Sequence, residues 1–291
     1  MSKPPIVWTI AGFDPSSGAG ITADLKTISA LDCYGVACIT ALTVQNTMGV
    51  RRVEPLSPQI VLETLQALLE DLPPSAIKIG MIATAGVASV VADFLHALHQ
   101  PDSTARCPVV LDPILRSSSG AELLDPAGIR LLLAHLLPMA TVVTPNRSEA
   151  ELLTGVAAGF AGSDAESMAR ALRRLGAAAA VVTGGDANGG RNPQHSEDVL
   201  AYAAAGREWV ETLSAPRIPS NATHGTGCAF STAIACGLAC GQSVPTAVTS
   251  AKAFVRRAIE HAPGLGSGKG PMGLERGGKS LQTPGWPDDY A

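Results

Sequence analysis

The sequence predicts an α/β fold with a mostly parallel central sheet. Between residues 6 and 183, short apolar runs alternate with longer amphipathic stretches, as strands and helices do in such a fold. Each apolar run is mostly continuous, which is typical of parallel strands that helices cover on both faces. The chain has 291 residues, of which 46% are hydrophobic and 16% charged, so it can bury a large core.

This alternation predicts the following elements in chain order. The expected strands of the parallel sheet are Ile6–Ala11, Val36–Thr43, Ile77–Ile82, Val109–Asp112, Thr141–Thr144 and Ala179–Thr183. The helices expected between them are Gly20–Leu31, Pro58–Asp71, Ala85–His99, Asp125–Leu137, Arg147–Leu153 and Asp164–Leu175. We expect right-handed crossovers to join these strands.

The alternation ends after residue 183. The segments Asp198–Ala203 and Glu208–Leu213 predict a hairpin with its turn near Gly206. Two helices are expected to follow, Gly225–Cys240 and Val244–His261. Neither a shift in composition nor an internal repeat marks a second domain.

Two stretches show no regular pattern. The polar, glycine-rich segment Gly185–Glu197 predicts a mobile loop. Glycine and proline dominate from Pro263 onward, so we expect one domain over residues 1–262 and a poorly ordered tail over residues 263–291. Within that tail, Gly273–Ser280 matches the P-loop pattern, but a working P-loop needs a strand before it and a helix after it. We therefore reject it as a phosphate site.

Charge and hydropathy exclude several classes of partner. The net charge is −4 and there is no basic stripe, so nothing indicates nucleic-acid binding. No apolar run approaches the roughly 20 residues of a membrane span. The start of the chain, Met1–Pro5, leads into a short apolar run without a cleavage site, so we expect no signal peptide and a cytoplasmic location.

The most informative motif is the start of the helix near residue 225. Gly225 and Gly227 flank Thr226, and small and apolar residues follow. Glycine lets the backbone turn tightly and approach a ligand, and the unpaired amides of a helix start attract a phosphate or an oxyanion. Cys228 would lie at the mouth of such a site. The alternative is a helix cap with a buried cysteine.

A second motif is the loop Gly12–Gly20, which lies between the first strand and the first helix. Ligands of open parallel sheets bind beyond the carboxyl ends of the strands, where this loop would lie. It lacks the glycine spacing of a dinucleotide site, so we expect it to close over a small polar ligand, with Asp14 as a fixed polar group. Alternatively, Asp14, Ser16 and Ser17 form a helix cap.

Acidic and amide side chains follow two further strands. Asp112 ends one strand, where a metal ion or a polar substrate would lie. Asn146 and Glu149 begin a helix and face the same side of it, so they are candidates to hold magnesium near phosphates. The alternative for this pair is a capping box, in which each residue caps the other's backbone amide.

Two glycines and a lysine complete the set. Gly184 and Gly185 follow a strand and would let a nucleotide approach, although a plain turn fits equally well. Lys252 lies in an otherwise apolar helix, where solvation at the helix edge is the default. Taken together, the candidates would share one edge of the sheet, and acids, glycine turns and an anion hole are what phosphoryl transfer requires.

In this order, the segments resemble the hydroxymethylpyrimidine/phosphomethylpyrimidine kinases, a family of the ribokinase-like superfamily that acts in thiamine biosynthesis. The resemblance covers about residues 6 to 272. The matching stretches are AGFDPSSGAGITADLKT, ITALTVQNT, IKIGMI, VVLDP, TPNRSEAELL, the two glycines at 184–185 and HGTGCAFSTAIA. It implies a three-layer αβα sandwich, a homodimer, and two successive ATP- and Mg²⁺-dependent phosphorylations of 4-amino-5-hydroxymethyl-2-methylpyrimidine, a small-molecule substrate.

The resemblance also implies roles for individual residues. The positions that match the pyrimidine pocket are Gln45, Asp14 and Met81. Those that match the anion hole are Gly225, Thr226, Gly227 and Cys228, with Cys228 as a candidate base whose pKa a helix start would lower. The nucleotide-side positions are Asn146, Thr183, Gly184, Gly185, Thr226, Gly227 and Lys252. The metal positions are Asp112 and Glu149.

The chain departs from the family at one motif. Thr183 and Asp186 stand where the family usually has lysine and histidine beside the two glycines, which puts nucleotide affinity in doubt more than the reaction. Three other functions stay open: a pyridoxal kinase, a pyrimidine-binding sensor without activity, and a thiol transferase or hydrolase that uses Cys228 with His224.

Overall fold

The computed structural model of the chain describes residues 3–100, 103, 107–116, 120, 122–156, 164–185 and 194–275. The strands among these residues are β1 (Ile6–Phe13), β2 (Tyr34–Asn46), β3 (Gly49–Pro55), β4 (Ala76–Ile79), β5 (Val109–Leu111), β6 (Val142–Val143), β7 (Ala179–Val182), β8 (His195–Ala204) and β9 (Arg207–Pro216). The α-helices are α1 (Gly20–Ala30), α2 (Pro58–Asp71), α3 (Ala85–Leu98), α4 (Pro126–Leu131), α5 (Arg147–Thr154), α6 (Asp164–Arg174), α7 (Thr226–Ala239) and α8 (Val244–Glu260).

The described strands form one sheet in the order β3-β2-β1-β4-β5-β6-β7-β8-β9. The six strands from β2 to β7 in this order run parallel, and β3, β8 and β9 are added antiparallel at the two sides. Because the parallel strands share one direction, their carboxyl ends all lie at one edge. The functional candidates are therefore brought to that edge by topology.

Helices cover both faces of the sheet. One buried cluster joins the strands to α2, α3, α4, α5 and α6, and a second joins them to α1, α7 and α8. The strands of the centre are buried on both faces, in agreement with their continuous apolar runs. The predicted α/β fold with three αβα layers is confirmed.

Three elements differ from the prediction. β2 is longer than expected and turns at residues 46–49 into β3, which the sequence analysis missed because this edge strand is mostly exposed and carries no apolar run. The helix expected over Asp125–Leu137 ends as α4 at Leu131 and continues as a π-helical turn and a short 3-10 turn that contains Pro138. Pro138 has no backbone N–H to donate, so α-helical hydrogen bonding cannot continue through it.

The two stretches without a pattern are partly described. β8 begins at His195, inside the segment expected to be a mobile loop, and residues 186–193 of that segment lie outside the described residues. Residues 263–275 of the expected tail are described, and Met272 and Leu274 are buried against the domain. We therefore propose that the domain extends to Glu275. Among the described helices, none has the length and apolarity needed to cross a membrane.

Core packing of α2 gives a first prediction. Leu65 is fully buried in the cluster between α2 and the sheet, whereas Ile60 on the same helix is 50% exposed. We expect Leu65→Ala to lower the free energy of unfolding by about 2–5 kcal/mol, because it leaves a cavity. The control Ile60→Ala should change it by less than about 0.5 kcal/mol. Urea unfolding checks both, and equal effects would contradict this packing.

Candidate active site

A cavity of about 370 Å³ opens at the carboxyl ends of β1, β2 and β4. Its wall includes all three residues predicted for a substrate pocket, namely Asp14, Gln45 and Met81. The hairpin between β2 and β3 contributes Thr47 and Met48, and the segment after α8 contributes Gly268 and Lys269. The segment that was expected to be a loose tail thus forms part of the cavity wall.

Asp14 holds the loop between β1 and α1 closed. Its Oδ1 accepts hydrogen bonds from the backbone and hydroxyl of Ser16, at 2.8 and 2.7 Å. Its Oδ2 accepts from the backbone of Ala19 and from Nε2 of His224, both at 2.8 Å. These four bonds hold both oxygens of the carboxylate in place. Asp14 therefore shapes the pocket, and the N-cap of α1 is Ala19 rather than Asp14.

The electrostatics of Asp14 follow from these bonds. Burial by itself raises the pKa of this carboxyl, but the hydrogen bonds from His224, Ser16 and Gln45 outweigh burial and hold the pKa well below its usual value. Asp14 is therefore ionised at neutral pH, so Nε2 of His224 carries the proton that lies between them. Asp14 therefore orients the ring of His224.

The same loop touches the start of α7 through glycine. Gly225 has φ +77°, and a Cβ there would lie 2.0 Å from the carbonyl oxygen of Gly18. A Cβ on Gly18 would in turn lie 2.3 Å from the His224 ring. Only glycine tolerates both the left-handed conformation and this close approach. The predicted glycine turn before α7 is present, and it allows the backbone at Gly225 to contact the β1–α1 loop at Gly18.

Cys228 lies in the first turn of α7, as predicted, but it is buried and is not one of the residues that line the cavity. Burial raises the pKa of its thiol to about 12, although Lys78 acts in the opposite direction. The expectation that the start of α7 lowers the pKa of the Cys228 thiol is therefore wrong. Loss of water around the sulfur disfavours the thiolate more than the helix dipole favours it.

A buried polar network lies between α7 and the sheet. Ser231 Oγ donates to Asp112 Oδ2 at 3.1 Å, and burial raises the pKa of Asp112 to about 6. One residue further on, Thr232 Oγ1 donates to Asp24 Oδ1 at 2.8 Å. Lys78 Nζ donates to the other oxygen of Asp24, at 2.8 Å. The sequence analysis missed Asp24 and Lys78, although a lysine within the run Ile77–Ile82 was a visible signal.

Asn146 and Glu149 form the capping box that the sequence left as the alternative. Asn146 Oδ1 accepts from the backbone of Glu149, and Glu149 Oε2 accepts from the backbone of Asn146, both at 2.9 Å. Asn146 also pairs with Thr183 as an isolated parallel bridge, which places the start of α5 beside the end of β7. The two side chains are thus held in place at the predicted edge.

Lys252 is paired with an acid that the sequence analysis did not single out. Its Nζ donates to Asp198 Oδ2 at 2.6 Å and to the backbone of Ser196 at 3.2 Å, so it is not a solvated lysine at a helix edge. Asp198 Oδ1 accepts from the Gly184 backbone at 2.9 Å. This chain of contacts links α8 to the glycine turn after β7.

An arginine lies on the other side of that turn. Arg217 Nη1 donates to the carbonyl of Gly185 at 2.6 Å, and Nη2 donates to that of Gly184 at 3.3 Å. The turn with Thr183, which replaces the family's lysine, therefore still has a cation beside it. Asp186, the other departure from the family, lies outside the described residues. Sequence reasoning missed Arg217 because it is distant in the chain from the glycines.

The donor set fits a magnesium ion bound together with phosphates. Asp112 and Glu149 offer carboxylate oxygens, and Mg²⁺ is usually held by one or two carboxylates with phosphate and water oxygens completing its shell. Within the described ranges no group of three or more acidic, histidine or cysteine side chains forms a closed metal site. Asp112 and Glu149 are the residues that would hold such an ion.

Comparison with known proteins identifies the family. The sequence model described as phosphomethylpyrimidine kinase matches residues 14–273. The chain belongs to this family. It is 40% identical over 269 residues to a hydroxymethylpyrimidine/phosphomethylpyrimidine kinase of Synechococcus elongatus. This match covers 92% of this chain and 97% of the Synechococcus protein. The predicted family and the predicted kinase activity are confirmed.

Solved structures agree with this assignment. The pyridoxal kinase from Staphylococcus aureus in complex with pyridoxal has 32% identity to this kinase, 94% coverage of both chains and a TM-score of 0.81. The phosphomethylpyrimidine kinase from Clostridium difficile 630 has 34% identity, covers 88% of this kinase and 99% of its own chain, and has a TM-score of 0.72. Both support the α/β fold of this kinase.

The pKa of Asp14 gives a prediction on pH. Because the folded pKa lies below the ordinary value of 3.8, the ionised carboxylate stabilises the fold above about pH 4, and this stabilisation is lost as the pH falls further toward the folded pKa. We expect Asp14→Asn to be less stable than the parent at pH 7, with a difference that shrinks steadily below pH 4.

Unfolding in urea between pH 2.5 and pH 7 measures this difference. The control is Asp93→Asn, because Asp93 is exposed on α3. A difference between Asp14→Asn and the parent that stays constant across this pH range would contradict the assigned role of Asp14.

Proposed function

We propose that this kinase phosphorylates 4-amino-5-hydroxymethyl-2-methylpyrimidine and then its monophosphate, giving the diphosphate used in thiamine biosynthesis. The observation that carries the proposal is the position of Gln45 on the cavity wall beside Asp14. The Gln45 amide offers a donor and an acceptor together, which suits the edge of an aminopyrimidine. Met81 offers an apolar and polarisable surface to the ring.

The phosphate donor would be ATP, held on the side of the sheet that carries Asn146, Thr183, Gly184 and Gly185. The loop between β1 and α1 closes the pyrimidine pocket, while the glycine turn after β7 lies two strands beyond β5. The start of α7 contacts the β1–α1 loop at Gly18 and would lie between these two sites. In this arrangement the hydroxymethyl oxygen attacks the γ-phosphorus in line with the leaving ADP.

The chain contributes positioning and charge to this transfer. The amides of residues 225–228 begin α7 and would bind the oxygens of the transferred phosphoryl group. Asp112 and Glu149 would hold Mg²⁺, whose chemistry here is to offset the charge of the phosphate oxygens. Lys252 binds Asp198, whose other oxygen accepts from the Gly184 backbone, so its proposed role is to hold the Gly184 turn.

Cys228 is the candidate base for the hydroxymethyl proton. With the pKa of its thiol raised to about 12, it is protonated before substrate binds, and a base role requires the thiolate to form in the loaded site. If Cys228 only shapes the pocket, its thiol can stay protonated throughout the reaction. The two roles differ in the loss of turnover that they predict.

Substitution of Cys228 separates these roles. As a base, its loss in Cys228→Ala should lower kcat by about 100-fold or more, while the Kd of the pyrimidine, measured by calorimetry, changes by less than about threefold. The control Cys38→Ala removes another buried thiol, away from the cavity, and should leave kcat unchanged. Unchanged turnover in Cys228→Ala would exclude the base role.

The direct test supplies the substrate. The purified protein is incubated with Mg-ATP and the hydroxymethylpyrimidine, and products are read by mass spectrometry. We expect the monophosphate first and the diphosphate later. If no phosphorylated product forms and the pyrimidine binds tightly, the sensor function replaces this proposal, whereas rapid alkylation of Cys228 without ADP release would indicate the thiol chemistry.

A second candidate is a pyridoxal kinase. It is favoured by the TM-score of 0.81 with the Staphylococcus aureus pyridoxal kinase, which is higher than the 0.72 with the Clostridium difficile enzyme. A parallel incubation with pyridoxal decides between the substrates, and phosphorylated pyridoxal alone would move the assignment. The homodimer and the cytoplasmic location that the sequence analysis expects stay predictions.

A further inference from the structure

The centre of the sheet contains a buried ion pair. Lys78 lies in β4, between β1 and β5, and its Nζ is 2.8 Å from Asp24 Oδ2 in α1. Both side chains have an exposed fraction of 0%. Replacing such a pair by apolar residues is often neutral or stabilising, so stability alone is a weak reason for a lysine at this position.

The two partners of the pair differ in how completely they are hydrogen-bonded. Asp24 accepts from Lys78, from Thr9 Oγ1 at 2.6 Å and from Thr232 Oγ1 at 2.8 Å. The Lys78 ammonium has three N–H donors, and Asp24 is its sole acceptor within the part of the chain that the structure describes. The acid is therefore well satisfied, whereas the buried cation has unused donors.

The ammonium reaches toward the edge of the sheet that carries the site. A Cβ added at Gly80, the residue that follows the end of β4, would lie 2.8 Å from Nζ. On the α7 side, Thr232 binds the partner Asp24, and Cys228 lies one helical turn before Thr232. The ammonium therefore lies next to Gly80 and is connected through Asp24 to Thr232 of α7.

We propose that Lys78 is a positioning residue for phosphoryl transfer, and that its ammonium supplies fixed positive charge beneath the first turn of α7. This inference rests on the proposed function, because the negative charge that it acts on belongs to the transferred phosphoryl group. In a dry interior a fixed charge acts strongly and does not have to reorient during the reaction. Asp24 holds the cation in place and connects it to α7 through Thr232.

The test separates charge from folding. Lys78→Met removes the cation but leaves Asp24 buried and unpaired, so this variant is expected to be unstable. The double variant Lys78→Met with Asp24→Asn removes both charges at nearly constant volume. We expect it to recover thermal stability and yet to show kcat lowered by about 100-fold, with KM for the pyrimidine changed by less than about threefold.

Leu65→Ala is the matched control, because it destabilises the core on the opposite face of the sheet from α7. Measured below its Tm, it should keep the kcat of the parent. A double variant that regains both stability and kcat would overturn the proposal and leave the pair a purely structural one. If the double variant does not fold, Gly80→Ala is the second test.

Gly80→Ala displaces the ammonium without removing its charge. We expect kcat to fall by about tenfold while KM changes little, and an unchanged kcat would overturn the proposal.

A binding measurement distinguishes failure of this inference from failure of the proposed function. ADP with aluminium fluoride is an analogue of the transition state of phosphoryl transfer. Its binding does not depend on which acceptor molecule is phosphorylated. We expect the parent to bind ADP more tightly with aluminium fluoride than without it, and the double variant to lose that gain while binding ADP alone equally well. A gain that persists in the double variant would overturn the role of Lys78, whereas a parent without any gain would overturn the proposed phosphoryl transfer itself. A parent with this gain but without product from the pyrimidine would overturn only the proposed substrate.

Discussion

The contact between the β1–α1 loop and the start of α7 is the constraint on which the rest of the site depends. At this contact two backbones approach so closely that a Cβ on Gly225 would overlap the carbonyl of Gly18. At the same place, a side-chain hydrogen bond between Asp14 and His224 joins the loop to the segment just before α7. Because the loop borders the cavity and α7 begins at the proposed anion hole, this one contact would set the distance between the proposed pyrimidine and the phosphoryl group that it would accept.

Below this contact, α7 is fixed to the sheet by hydroxyl groups rather than by apolar packing alone. Ser231 and Thr232 bind Asp112 and Asp24, and Asp24 binds Lys78. Hydrogen bonds to buried charges are directional, so they fix the rotation of the helix and hence the direction of its first amides. The same burial that makes this network rigid also raises the pKa of Cys228, which is why a favourable helix dipole does not produce a thiolate there.

Much of the fold followed from the local pattern. The continuous apolar runs predicted the parallel strands, and the bounds of α7 and α8 agree with the expectation to within one residue at each end. The hairpin strand β3 was missed because an exposed edge strand does not need an apolar run. Among the site residues, Asp14, Gln45 and Met81 were found by resemblance, and topology brings them to one cavity. Asp198, Arg217 and the pair Asp24–Lys78 were missed because their partners are distant in sequence.

By itself, the sequence determined the fold class, the family and the edge of the sheet at which we propose that the chemistry takes place. These depend on hydrophobic periodicity and on short motifs, which are properties of neighbouring residues in the chain. Only the tertiary structure decided which charges are paired, as with Lys252 and Asp198, and which groups lose their water, as with Cys228 and Lys78. Pairing and desolvation depend on side chains that meet across the sheet from distant segments, and no local pattern records those distances.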